Sequence, residues 1–205
     1  MRGQRTMYIG DMFCYGQSTD SVGVNGIVGC MGVFVASGQT LYAIHMPDSI
    51  NYNTPGRNAF VQFVGGAIGN GNAATVIGVL NNDNRPSAAA ELREIARGLG
   101  ASSYRMVRLR KHIDIRPSGE PEAAAVLCMY TPNGYVQGTG MTFSSNVELR
   151  YQMDKRVRWV DGQGEARSGQ YRAMRGDSRL WTNAAWGAGW NAVDSTNCDL
   201  TMGRV

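Results

Sequence analysis

Two apolar runs on either side of a turn dipeptide give the first clear pattern along the chain. Residues 27–36 (IVGCMGVFVA) and 39–46 (QTLYAIHM) flank Ser37-Gly38 and predict a β-hairpin. Further apolar runs occupy 59–64 (AFVQFV) and 74–80 (ATVIGVL), joined by the glycine-rich link GGAIGNGN. The period changes after Pro86. Ser87 is a candidate N-cap, Leu92, Ile95, Ala96 and Leu99 form a stripe at helical spacing, and Gly98 and Gly100 supply the stop, which predicts a helix over 88–98. Residues 104–116 (YRMVRLRKHIDIR) return to period two. Val107, Leu109, Ile113 and Ile115 fall on one face and Arg108, Arg110, His112, Asp114 and Arg116 on the other, predicting a half-exposed strand with its basic face toward water. A buried strand is expected over 123–131 (AAAVLCMYT), then a Pro132-Asn133-Gly134 turn, two more strands over 135–143 and 147–160, and a polar loop over 161–169. Beyond 170 the pattern fades, and Trp181, Trp186 and Trp190 among Gly and Ala read as packing residues. No internal repeat is present. Many strands with one well-marked helix point to an α+β protein, a β-sandwich of mixed sheets flanked by helices.

Composition narrows the class without naming a function. At 205 residues the chain suits one domain, 1–205, with a core large enough to need no disulfide or metal staple. Apolar residues make up 43% and charged residues 18%, with 27 glycines, which excludes disorder, coiled coil and a helical bundle. The longest uncharged apolar stretch, 26–36, falls far short of the roughly 20 residues a membrane-spanning helix needs. Arg2 and Arg5 are followed by Gly10, Asp11 and Gly16, so no signal peptide is expected. The net charge of +4 is unevenly spread. Residues 1–84 hold three Arg against four Asp, whereas 85–205 hold seventeen basic against twelve acidic groups. A solvated face is the plain reading of that excess, an acidic protein partner the sharper one, and no aromatic-basic motif supports nucleic acid.

Candidate chemistry is sparse. Gly69-Asn70-Gly71-Asn72-Ala73-Ala74 has the form G-x-G-x-x-A, but a strand-like run follows where a dinucleotide site needs a helix. Cys14, Cys30, Cys128 and Cys198 stand far apart and, with His45 and His112, show no metal-ligand spacing; they read as thiols, with neither metal nor cofactor expected. His112 is a rival base, but it falls on the Arg-rich face and reads as exposed. The hairpin is more informative. With Ser37-Gly38 as the two turn residues, paired positions sum to 75, and Cys30 stands directly opposite His45. An imidazole beside a thiol takes its proton, producing a thiolate that attacks an acyl carbon, and returns the proton to the leaving group. Gly29 leaves room for a substrate, and a backbone N–H near Cys30 would hold the oxyanion. The bland alternative is a small thiol filling a strand core and a histidine satisfied at a strand end.

Ile27-Val28-Gly29-Cys30, with His45 fifteen residues beyond the cysteine, resembles the L-x-G-C plus His signature of the cytotoxic necrotizing factor catalytic domain and related bacterial toxin deamidases. The segment GCMGVFVASGQTLYAIHMPDS also resembles the corresponding part of chemoreceptor glutamine deamidases, which share that fold. The match covers about residues 22–49, with a looser echo to about 100. It implies a single catalytic domain that converts a glutamine side chain of a target protein to glutamate, with Cys30 as nucleophile and His45 as general base and acid. Ile27 stands where the family has Leu, and Val24 where chemoreceptor deamidases carry a Thr. Asn25, Ser21, Thr19 or a backbone carbonyl remain as groups to orient His45, Asn25 ranked first because it sits in a turn, Gly23-Val24-Asn25-Gly26, beside the nucleophile strand. The resemblance further implies a monomeric toxin or effector made in a bacterium and delivered to the host cytosol. Its partner would be a host protein of the small-GTPase or translation/signalling-factor class. A chemoreceptor deamidase and a non-catalytic Arg-rich binding module stand as alternatives.

Overall fold

The computed structural model describes residues 5–9, 14–27, 29–47, 50–69, 74–81, 85–109, 124–130, 142–144, 147–153, 172–173, 179–180, 191–193 and 196–205. In chain order the elements are β1 (Arg5–Ile9), β2 (Cys14–Ser18), β3 (Ser21–Ile27), β4 (Met31–Ser37), β5 (Thr40–Met46), α1 (Ile50–Ile68), β6 (Thr75–Leu80), α2 (Ala88–Gly98) and β7 (Ser103–Leu109). They continue with β8 (Ala124–Tyr130), β9 (Thr142–Ser144), β10 (Val147–Met153), β11 (Arg172–Ala173), β12 (Arg179–Leu180), β13 (Asn191–Ala192) and β14 (Cys198–Arg204). The strands form two mixed sheets. The outer sheet runs β12-β1-β3-β8-β10-β13 with β9 on β10, and the central sheet runs β11-β2-β5-β4-β6-β7-β14. β1 and β3 are parallel in the first, β6 and β7 in the second, the latter joined through α2.

The period-two alternation of the central strands sorts their side chains into two cores. Phe34, Ala36, Leu41, Ala43, Ile77 and Val107 meet the outer sheet. Met31, Val33, Tyr42, Ile44, Val76 and Met106 meet the helices on the opposite face. The strands are apolar on both faces because both are covered. The architecture is therefore α+β, two mixed sheets packed face to face with two helices on the outside of the central one.

α2 spans 88–98 as its apolar stripe predicts, with Leu92, Ile95 and Ala96 buried. Ser87 precedes it, but its hydroxyl donates to the Glu91 carboxylate (3.2 Å) and makes no side-chain cap to the helix backbone. The run 59–64 belongs to a helix rather than a strand. Gly56, Phe60, Val64 and Ile68 lie buried at four-residue steps along α1, a stripe that Pro55 in the second turn and Gly65-Gly66 near the end disguise in the sequence. Aromatic rings fasten this helix to the sheet, Tyr15 to Phe63 at 5.0 Å and Tyr42 to Phe63 at 6.0 Å between centroids.

Two strand readings change. The described part of 104–116 is β7, and its Arg-bearing face is not turned to water. Tyr104 and Met106 on that face are buried under the helices, and Arg105 and Arg108 are half-buried. A strand sandwiched between layers hides both faces, and the long aliphatic stems of Arg tolerate it. Ser21–Ile27, read around Gly23–Gly26 as a turn, is a strand of the outer sheet. β8 and β10 fall within predicted strands and β9 overlaps the end of the strand expected over 135–143, whereas β14 pairs along β7 in a region whose pattern had faded. Residues 135–141, 154–160, His112, Trp181, Trp186 and Trp190 lie outside the described residues.

Candidate functional site

The β4-β5 hairpin forms, with its register one step removed from the sequence expectation. Ser37 pairs with Thr40 and Gly32 with His45, so paired positions sum to 77 and the turn residues are Gly38 and Gln39. Gly38 has φ +58°. Primed hairpin turns accept glycine at the first central position, whereas Ser37-Gly38 as the turn would have put a Cβ there. Turn chemistry thus overrides the simple reading of the dipeptide. Cys30 is not opposite His45; it lies in a bend just before β4, two residues ahead of Gly32.

The observed register preserves the parity of positions along the hairpin. Moving a hairpin turn by one residue changes the pairing sum by two, and with a side-chain period of two the faces are conserved. Cys30 stands two residues before Gly32, the partner of His45, which is the diagonal position of a continued strand. Diagonal positions on one face of an antiparallel pair lie roughly 7–8 Å apart, within reach of a long or ring side chain.

His45 points into the space between the sheets, on the same alternation as Leu41 and Ala43. It is 2% exposed, and its Nε2 is shielded from solvent. Above it lies a β-bulge of the outer sheet. Val24 pairs with Val126 but Ile27 with Ala124, so three steps on β3 match two on β8. Gly26 takes φ +71° there, and a Cβ on it would lie 3.7 Å from His45 Cε1. Bulges of this kind re-aim strands beside functional sites. Opposite His45, Gly32 leaves a gap that Ile27 fills: a Cβ at Gly32 would come within 2.9 Å of Ile27 Cδ1. The glycine against the imidazole ring is therefore Gly26, with Gly32 paired to His45 on β4, while Gly29 is exposed near Cys30.

Of the candidate orienting residues, Asn25 belongs to this bulge, one residue from Gly26. Ser21 begins β3, and five extended residues of roughly 3.3 Å each separate it from Gly26. Its amide and that of Asp20 donate to Ser18 Oγ at 3.3 and 3.1 Å, which ties Thr19 into that distant turn. Topology thus places Asn25 at the His45 end and Ser21 and Thr19 at the other.

All four cysteines are thiols outside any disulfide, and only Cys30 is not buried. Burial pushes the Cys128 thiol far above its ordinary range, which keeps it protonated and unreactive. Sequence reasoning missed Arg85. This side chain is 2% exposed, donates from Nη1 to the Met46 carbonyl at 2.9 Å and pairs through Nη2 with Glu91. Arg97 pairs with Glu94 and Arg150 with Glu148, so these two arginines carry local counter-charges. Among the described residues no group of three His, Cys, Asp or Glu side chains is placed to hold a metal ion, and no helix is long and apolar enough to cross a membrane. Comparison of the sequence with protein-family models and with curated proteins finds no match.

Proposed function

We propose that the chain is a protein glutamine deamidase of the bacterial toxin or effector type, a cysteine hydrolase with Cys30 as nucleophile and His45 as general base and acid. The observation that carries this reading is the hairpin register: the half-buried thiol lies in the bend leading into β4, two residues before Gly32, and Gly32 pairs with the buried His45 on β5. The L-x-G-C plus His resemblance supports it, and so does a layered mixed-sheet body compatible with the deamidase fold that resemblance implies.

In this reading His45 takes the Cys30 proton and the sulfur attacks the side-chain carbonyl carbon of glutamine. Backbone N–H groups at the start of β4 hold the oxyanion. The C–N bond breaks as His45 returns the proton, so ammonia leaves and a thioester remains. Water, losing a proton to His45, then attacks the thioester and releases glutamate, restoring the thiol. The cycle balances with water as the sole co-reactant. Asn25 is proposed to orient His45 from the bulge. The substrate is a protein of a host cell, in the small-GTPase or translation/signalling-factor class, reached by delivery into the host cytosol, and the chain acts as a monomer.

Cys30→Ser and His45→Ala each remove deamidation of host protein while leaving the melting temperature within a few degrees of the parent; turnover retained by either variant would sink the assignment.

A further inference from the structure

We infer that Arg85 is a positioning residue for the Cys30/His45 pair and acts through the Met46 carbonyl; the inference rests on the proposed thiol chemistry. Met31 and Met46 form the last rung of the β4-β5 ladder. Met46 directly follows His45, and Met31 directly follows Cys30. Open ends of hairpins fray unless something outside the ladder holds them. Among the described residues, β2 is registered with β5 from Leu41 to Ile44. Pro47, next along the chain, has no N–H to donate.

Arg85 supplies a hold on this end from outside the ladder. Its Nη1 donates to Met46 O at 2.9 Å, its Nη2 pairs with Glu91 of α2, and Glu91 in turn accepts from Ser87 Oγ at 3.2 Å. One planar fork thus ties the strand end carrying the imidazole to the first turn of the helix that packs on the central sheet. A guanidinium can serve a carbonyl and a carboxylate at once, which a lysine ammonium on a flexible stem does with far less geometric definition. Stability does not explain the choice, since apolar residues of similar volume commonly replace a buried ion pair without loss. The ion pair adds a fixed location for the Met46 peptide, and with it the reach from His45 to Cys30.

The test compares the full chain with Arg85→Lys, with the double variant Arg85→Met/Glu91→Met, and with His45→Ala, reading the iodoacetamide alkylation rate of Cys30, melting temperature, and kcat and KM where turnover is measured. Fast alkylation of Cys30 in the parent, falling toward the His45→Ala rate in a double variant that still melts cooperatively, is the expected result. Turnover should then fall by on the order of 100-fold in kcat at unchanged KM. Arg85→Lys, which keeps the charge, should fold and alkylate at an intermediate rate, and it decides the matter if the double variant does not fold. Parent-like alkylation and kcat in a folded double variant, or in Arg85→Lys, would overturn the positioning role. A parent chain whose Cys30 reacts no faster than in His45→Ala would instead overturn the thiol-imidazole reading, and the Arg85 inference with it.

Discussion

Gly78→Ala tests how tightly the layers behind the candidate site are packed. Gly78 lies in the middle of β6, under α2, and a methyl group there would stand 2.5 and 2.7 Å from the two Leu92 methyls and 3.0 Å from Met31 Sδ. Leu92 is fully buried, as is Met31, so neither can swing into open space. Forcing one methylene-sized group into a filled core costs about 1–3 kcal/mol. For a chain of this size that corresponds to a fall in melting temperature of about 2–12 °C. Leu92→Ala alone should cost about 2–5 kcal/mol by leaving a cavity. Combined, the two changes partly cancel, because the new methyl occupies space the leucine has vacated, and the double variant should be at least about 1 kcal/mol more stable than the sum of the singles predicts. Urea denaturation of the four proteins measures the cycle. An additive cycle, or a Gly78→Ala protein as stable as the parent, would refute the close contact between α2 and β6. Because Met31 adjoins Cys30, the same substitution should also slow Cys30 alkylation if the helix layer sets the thiol's position.

Gly32→Ala should cost about 1–3 kcal/mol, since its methyl would strike Ile27 Cδ1 at 2.9 Å, and should displace the wall of the His45 site; a variant that melts like the parent with unchanged turnover contradicts this. Gly26→Ala should cost about 1–2 kcal/mol through the left-handed φ of +71° alone, measured by urea denaturation, while its Cβ makes only ordinary contact with His45. The raised pKa of Cys128 is also a stability statement. Its folded value lies above the unfolded one, so the stability it contributes is fully present below about pH 9 and is lost as pH rises, at about 1.4 kcal/mol per unit. Tyr15 and Tyr42, also raised by burial, add to the alkaline loss, so the contribution of Cys128 is isolated by comparison with Cys128→Ala, whose stability should fall less between pH 8.5 and about 10. Native iodoacetamide labelling should reach Cys30 well before Cys14, Cys128 and Cys198, and mapping the modified peptide reads the order.

Where local pattern and tertiary burial agree, the sequence is a good guide. α2 could be read because its stripe, its preceding Ser87 and its closing glycines all point the same way. α1 could be read only in part: Phe60, Val64 and Ile68 carry the helical spacing, but Pro55 and paired glycines argue locally against a helix that tertiary burial nonetheless supports. The two-layer coverage of β7 was hidden because Arg108 looks solvent-facing in isolation. The candidate site shows the same division. Cys30 and His45 are visible as residues and as positions of like parity about the hairpin turn. Their rung is not visible, because it depends on which turn position takes Gly38. The bulge at Gly26 and the clamp by Arg85 are long-range features. Arg85 stands thirty-nine residues from the carbonyl it holds, and no local periodicity marks that pairing.

The central claim is that Cys30, assisted by His45, deamidates a glutamine of a host protein. Its most direct test is peptide mass spectrometry of host-cell lysate after incubation with the parent chain and with Cys30→Ser. The parent should convert a defined glutamine to glutamate in one protein, and the variant should convert none. No glutamine converted by the parent, or the same conversion with Cys30→Ser, would contradict it.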